Sequence, residues 1–429
     1  MENLILFGTF AILLFLRVPI GVSLGMAVVA FLSYTGMQPF TYLASNMWTA
    51  LDSFPLMAIP FFILAGALME GGGLSRRLVN FGTACVGHVT GGFAVVTVLV
   101  SMFFGAISGS SPATVAAIGS IMIPAMIEHG YDKSFSVALM TVSGCLGVIV
   151  PPSIPMVLYG VSTSTSVGAL FMGGFGPALV IGGLLITYAV LVSRKRGFKG
   201  SGVKFSLRNV GKTFLDSFWA LLVPVIILGG IYGGYFTPTE AAVIACVYGA
   251  FAGFVIYREL NFKKLIDALM NTSVTLGSTM IMVGTGTVLG RVLALQRLPD
   301  QLMASMTSMT DSKITILLLI NLMLLVVGCI MDTTPAILIL SPILYPIVRA
   351  YGVGDVHFGL IMVVNMAIGF ITPPVGCNLF IASGMTNTKF TDLCKSIVPF
   401  IIIMFTALLI ITYIPAVVEW LPSILGMLS

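Results

Sequence analysis

Apolar stretches long enough to span a bilayer recur along nearly the whole chain, separated by short polar segments. The ~30 Å hydrocarbon core takes about 20 helical residues, so this pattern predicts a polytopic, all-α membrane protein. The helical class is favoured over a barrel, whose strands would alternate apolar and polar positions. Residues 4–16 read as a retained helix: Glu2 precedes them with no basic residue, and no small-residue cleavage signature follows. Further spanning helices are predicted at 167–192, 217–235, 241–257 and 265–290. The polar, Met-rich stretch 291–312 has too few consecutive apolar residues to cross and reads as an interfacial segment.

Elsewhere the apolar pattern is interrupted, twice and in the same way. One copy reads GAISGSSPATVAAIGSIMIPAM from Gly105 and then GCLGVIVPPSIP; the other reads GCIMDTTPAILILSPILYPIV from Gly328 and then MAIGFITPPVG. Pro112 pairs with Pro335, Asp132 with Asp355 and Pro151 with Pro373, at an offset of 222 or 223 residues. Each copy predicts a hairpin (93–128 and 314–350) of two apolar arms about a polar tip. Several arms look short for a crossing at 1.5 Å per residue, which favours re-entry. A broken helix follows (135–160 and 356–385), since proline deletes a donor and clashes with the preceding turn. At each tip a hydroxyl residue precedes proline, Ser111 before Pro112 and Thr334 before Pro335, which predicts an N-cap with proline at the first helical position.

Charge then orients the segments. Arg194, Lys195, Arg196, Lys199, Lys204, Arg208 and Lys212 form a basic loop, placed in the cytoplasm by the positive-inside rule. Counting helices outward from it puts the Gly105 module on the cytoplasmic side and the Asp332 module on the opposite side. About sixteen of the twenty Lys and Arg then fall inside, and both termini fall in the periplasm. The chain therefore divides into an inverted repeat at 1–192, the basic loop at 193–213 and a second repeat at 214–429.

Composition agrees, with 58% hydrophobic and 8% charged residues and a mean hydropathy of +1.10, too apolar for a water-soluble fold. The net charge of +5 does not imply nucleic acid, because the basic residues track loops. Six cysteines without metal-like spacing read as packing residues, and His88, His129 and His357 as scattered interfacial groups. The Gly284 to Gly290 run reads as close helix packing, and Arg291 as an interfacial anchor. No paired acids, Ser-His dyad or metal cluster supports an intramembrane enzyme. Interrupted helices that face each other free main-chain groups at bilayer depth, which suits a secondary transporter binding at the repeat interface. Freed oxygens suit Na⁺, and helix amide ends suit a carboxylate. Asp332 either helps to hold a cation or organises its turn.

Five motifs in order, SFPLMAIPFFILAG (53–66), SGSSPATVAAIG (108–119), GVIVPPSIPMVLYG (147–160), GGIYGGYFTPTEAA (229–242) and TPPVG (372–376), resemble the large membrane subunit of tripartite ATP-independent periplasmic (TRAP) transporters, the DctM-like family. The likeness covers essentially the whole chain. It implies the inverted-repeat elevator fold of the ion-transporter superfamily, similar to sodium-coupled divalent-anion symporters, with Na⁺ as coupling ion and no other cofactor. By motif, one Na⁺ site would involve Ser108, Gly109, Ser110, Gly147, Val150 and Pro151. The other would involve Asp332, Thr333, Thr334, Gly369, Thr372 and Pro373. Ser111, Ser153, Thr334, Gly376 and Asn378 would meet the substrate. The resemblance further implies a bacterial inner-membrane importer of a carboxylate, of sialic acid or C4-dicarboxylate class. Its partners would be a small four-helix membrane subunit and a periplasmic binding protein. Because the chain starts at the first large-subunit helix, the small subunit is expected as a separate chain. A stand-alone sodium/anion symporter is the alternative. Cysteines introduced at positions 194–212 should react with impermeant thiol reagents only from the cytoplasmic side; labelling from the periplasm would reverse the orientation.

Overall fold

The computed structural model describes residues 2–198, 200 and 205–428. Helix makes up 82% of the chain, and no strand occurs among the described residues. Nine helices among the described residues are long and apolar enough to cross a membrane, or ten if the bent first broken helix counts as one span. Lys199 and Lys204 of the basic segment lie outside the described residues. Much of the rest of that segment is helical rather than loop: Val167–Arg196 carries three of its cations in its last turn, where they face the negative end of the helix dipole, and Leu207–Tyr232 carries Arg208 and Lys212.

The first hairpin consists of Gly92–Ser108 and Ser111–Glu128, and the second of Lys313–Ile330 and Thr333–Ala350. With 17 or 18 residues each, the arms reach about 27 Å, close to the hydrocarbon thickness. Their length therefore does not force re-entry, contrary to the sequence expectation. The turn at each tip and the meeting of both tips at one cavity define the hairpins instead. The first broken helix runs Lys133–Ser143, Leu146–Ile149 and Ile154–Thr163, with a 40° bend at the interruption. The second runs Asp355–Gly369 and Cys377–Thr386.

Contacts at the two ends of these helices establish the inversion. Lys133, at the start of the first broken helix, donates from Nζ to the carbonyl of Thr386, at the end of the second, at 2.7 Å. At the other end, the Tyr159 hydroxyl donates to the Asp355 carbonyl at 3.1 Å. The broken helices are antiparallel. Asp132, beside Lys133, pairs with Arg196 at 3.5 Å, so the first repeat opens toward the basic segment. Lys313 donates to the Gly352 carbonyl at 2.7 Å, which puts the open end of the second hairpin beside Asp355, at the far end.

Around these modules stands a frame of Ile20–Thr35, Ala58–Gly71, Leu74–Val86, Leu207–Tyr232, Pro238–Phe251 and the 34-residue helix Phe262–Leu295. Arg291 lies within that long helix and not in a separate interfacial segment; only Leu298–Met309 forms a short helix of its own. At its basic end the frame is clasped by Glu259, which accepts from Arg76 at 2.7 Å and Arg77 at 2.8 Å. Arg77 also lies 3.8 Å from the centre of the Tyr257 ring. Partial burial raises the Glu259 pKa, but Arg77 and Arg76 outweigh it and hold the carboxyl below its ordinary value of 4.5. A depressed carboxyl pKa stabilises the fold above the unfolded value, and that contribution disappears as pH falls through the folded value. Glu259→Gln should therefore lower the melting temperature of detergent-solubilised protein near pH 7, with the gap from wild type closing below pH 4.5; a pH-independent gap would refute the ion-pair account.

Candidate functional site

At the first tip, Gly109 turns the chain with φ +59°, a left-handed conformation that favours glycine. Ser110 is extended, and its hydroxyl accepts the Ala113 N–H at 3.4 Å while its carbonyl accepts the Thr114 N–H at 3.1 Å. Ser110 is therefore the N-cap, and Ser111 is already helical. The second tip follows the same pattern: the Asp332 carboxylate accepts the Thr333 N–H at 2.8 Å, and its carbonyl accepts the Ala336 N–H at 3.2 Å. This corrects the expectation that Ser111 and Thr334 cap. Pro112 and Pro335 sit at the second and third helical positions, where a missing N–H still belongs to the unpaired first turn. Ser110 and Asp332 are themselves matched at an offset of 222.

The first tip also gathers oxygens. The Ser108 hydroxyl lies 3.4 Å from the Ser110 carbonyl and 3.3 Å from the Thr114 hydroxyl, which donates to the same carbonyl at 2.8 Å. Thr114 escaped the motif reading, although its spacing of four from Ser110 places it over the same turn. At the second tip the Thr333 hydroxyl is buried without a hydrogen-bond partner among the described residues.

Each tip is pressed against the break of its own repeat. The Ile154 N–H donates to the Gly109 carbonyl at 3.4 Å. A Cβ on Gly147 would stand 2.3 Å from the Thr114 hydroxyl and 2.5 Å from the Ser110 carbonyl. In the second repeat, a Cβ on Gly369 would stand 2.4 Å from the Gly328 carbonyl. Gly147 and Gly369 thus admit close backbone approach. Val150 leaves the helix in an extended conformation before Pro151, and the Thr372 hydroxyl before Pro373 donates to the Ile368 carbonyl at 2.7 Å. The bonds Pro151-Pro152 and Pro373-Pro374 are both cis.

The four remaining candidates behave differently. Ser111 and Asn378 are fully buried, and Asn378 Nδ2 donates to Ser111 Oγ at 2.8 Å, joining the second broken helix to the first hairpin. Ser153 is also buried and donates to the Val148 carbonyl at 2.5 Å. Gly376, at φ +50°, starts the second half of its broken helix. None of the four lines the cavity in this conformation.

That cavity, of about 410 Å³, is bounded on one side by Ser108, Gly109, Ser110, Pro112 and Ala113 of the first tip and by Asp332, Thr333 and Thr334 of the second. The frame supplies the facing wall: Ile63, Gly66, Ala67 and Glu70 from one helix, and Thr275 and Thr279 from the long helix. Among the described residues no Lys or Arg lines it. No group of three or more His, Cys, Asp or Glu suited to a metal occurs among the described residues.

An all-helical membrane protein whose two inverted, interrupted repeats meet at one cavity has the architecture of a transporter permease. The family described as "Tripartite ATP-independent periplasmic transporter, DctM component" matches residues 7–417, and the chain belongs to it. Among its relatives, the isethionate TRAP transporter permease protein DctMQ of Oleidesulfovibrio alaskensis is 48% identical over 96% of this chain. The chain spans 65% of the length of that relative. The C4-dicarboxylate TRAP transporter large permease protein DctM of Rhodobacter capsulatus is 38% identical, with both chains fully covered. The YdaH transporter of Alcanivorax borkumensis shares the fold, with a TM-score of 0.58 at 16% identity over 87% of each chain.

Because Ser110 and not Ser111 holds the cap, Ser110→Ala should destabilise by about 1 kcal/mol through the lost cap. Ser111→Ala should act through its link to Asn378, and a double-mutant cycle with Asn378→Ala should show coupling only for Ser111. Coupling of Ser110 to Asn378 in thermal unfolding would refute this division.

Proposed function

We propose that this chain is the permease subunit of a sodium-coupled importer that moves a small organic acid through the cavity between the hairpin tips. The single observation that carries the reading is that both return arms begin at the cavity wall. An acid group placed there meets two positive helix ends, with no Lys or Arg among the described lining residues. The names of the relatives specify isethionate and C4-dicarboxylates; the class they share is a small organic acid, and sialic acid falls within it.

Sodium coupling is favoured by the gathering of hard oxygens from Ser108, Ser110 and Thr114 at the first tip, now hydrogen-bonded to one another, the donor type that a hard cation takes. Gly109, Gly147, Val150 and Pro151 complete the first proposed Na⁺ site. Asp332, Thr333, Thr334, Gly369, Thr372 and Pro373 form its counterpart. The two modules move together against the frame, elevator fashion, because Ser111–Asn378 and Lys133–Thr386 tie the repeats to each other.

Residues 1–192 and 214–429 act as the two repeats, joined through the basic segment 193–213 on the cytoplasmic side. The subunit works in a bacterial inner membrane with a small four-helix membrane subunit and a periplasmic binding protein, both termini facing the periplasm. In proteoliposomes, uptake should require an inward Na⁺ gradient together with both partners. Transport by this chain without the binding protein would favour the stand-alone symporter, and transport indifferent to Na⁺ would overturn the coupling.

A further inference from the structure

The cavity has two chemically different walls. The hairpin wall is supplied by the positive ends of two helices, where the unpartnered Thr333 hydroxyl and the first-turn N–H of Thr334 are donors beside the Asp332 carboxylate. On the frame wall the polar side chains are Glu70, Thr275 and Thr279. Both threonines have already spent their hydrogens within their own helix, Thr275 on the Asn271 carbonyl at 2.9 Å and Thr279 on the Thr275 carbonyl at 2.8 Å. What they offer a ligand is lone pairs. Ionised Glu70 is likewise an acceptor only.

Glu70 is placed there by helical spacing. Ile63, Gly66, Ala67 and Glu70 recur at intervals of three and four and form one face of Ala58–Gly71. That face lies hard against the tip, since a Cβ on Gly66 would stand 3.1 Å from the Ser108 Cα. Glu70 is one turn further along, at the edge of the same cavity. Among the described residues its carboxylate has neither an ion pair nor a side-chain hydrogen bond, while Arg76 and Arg77 nearby in the chain are held by Glu259 and Asp216. The other acid of the cavity, Asp332, is engaged as a helix cap. Glu70, which is exposed at the cavity rim, is thus the charged side chain of the frame wall without a side-chain partner among the described residues.

We propose that Glu70 determines substrate class: the cavity takes a monoanionic organic acid whose far end carries a hydrogen-bond donor, a hydroxyl or ammonium group, and it discriminates against dicarboxylates. The acid head meets the positive helix ends with the Thr333 hydroxyl and the Thr334 N–H, and the donor end meets Glu70 with the lone pairs of Thr275 and Thr279. A second carboxylate would instead face a like charge and two spent hydroxyls, so it finds no donor on that wall. This rests on the reading of the cavity as an organic-acid site.

The test uses the full chain purified in detergent with Na⁺ and four acids of equal length that differ at the far carbon: 4-hydroxybutyrate, 4-aminobutyrate, butyrate and succinate. Apparent affinities come from ligand-dependent melting shifts. Wild type should bind the hydroxyl and ammonium acids at least about tenfold more tightly than butyrate or succinate, as a site built around a hydrogen bond does. Glu70→Gln should close most of the gap between 4-aminobutyrate and the others, and Glu70→Arg should move succinate to first rank. The same ranking in wild type and in Glu70→Gln overturns this inference alone, and so does a wild-type preference for succinate. Absence of a shift with all four acids on wild type overturns this inference, whereas the organic-acid reading falls only if uptake with both partners in proteoliposomes is also absent.

Discussion

The structure depends on the requirement that main-chain groups exposed by an interrupted helix find partners when no water is at hand, each unpaired group costing several kcal/mol in a lipid-like interior. Here each interruption is placed against another. The carbonyl of Gly109 at the first tip receives the N–H of Ile154 just past the first break; at the second, the backbone of Gly369 lies against Gly328 of the hairpin arm, and the Thr372 hydroxyl turns back to the Ile368 carbonyl of its own helix. Tip and break are therefore one packing unit, and Gly147 and Gly369 permit it because a side chain there would collide with the neighbouring backbone.

Duplication supplies the framework but not identical chemistry. Ser110 and Asp332 cap equivalent helices, one with a neutral hydroxyl and the other with a carboxylate. Oxygens at the first tip are bonded to one another, whereas the Thr333 hydroxyl at the second has no partner among the described residues. Around the tips, Ser111 and Asn378 connect residues 267 apart in the chain, so the modules form a single body rather than two opposed loops. The cavity lies between this body and a frame whose basic end is closed by Glu259, Arg76, Arg77 and Tyr257.

A great deal of this architecture was legible in the chain. Hydropathy and sparse charge require a helical membrane protein, and the helices Gly92–Ser108, Ser111–Glu128, Lys313–Ile330 and Thr333–Ala350 occupy the apolar arms read at 93–128 and 314–350. Inverted orientation was expected from charge together with a count of helix crossings, and the broken helices are antiparallel. These properties depend on periodicity and on residues close in sequence, which a single chain displays directly. The capping residues were misplaced by one or two positions, because proline is tolerated throughout a first helical turn and the cap is settled by which carbonyl takes the first intrahelical bond.

Other features depended on packing. Ser111 and Asn378 look like polar groups available to a ligand, yet they meet each other; Thr114 looks like an ordinary helical hydroxyl, yet it lies among the oxygens of the tip. Glu70, Thr275 and Thr279 carry no motif and become a wall only when their helices stand opposite the hairpins. Composition and repeats are enough to say that this chain is a membrane protein of two inverted halves, because local polarity and chain order suffice for that. Which polar groups remain free to meet a ligand depends on distances between helices remote in sequence, and those are set when the helices pack.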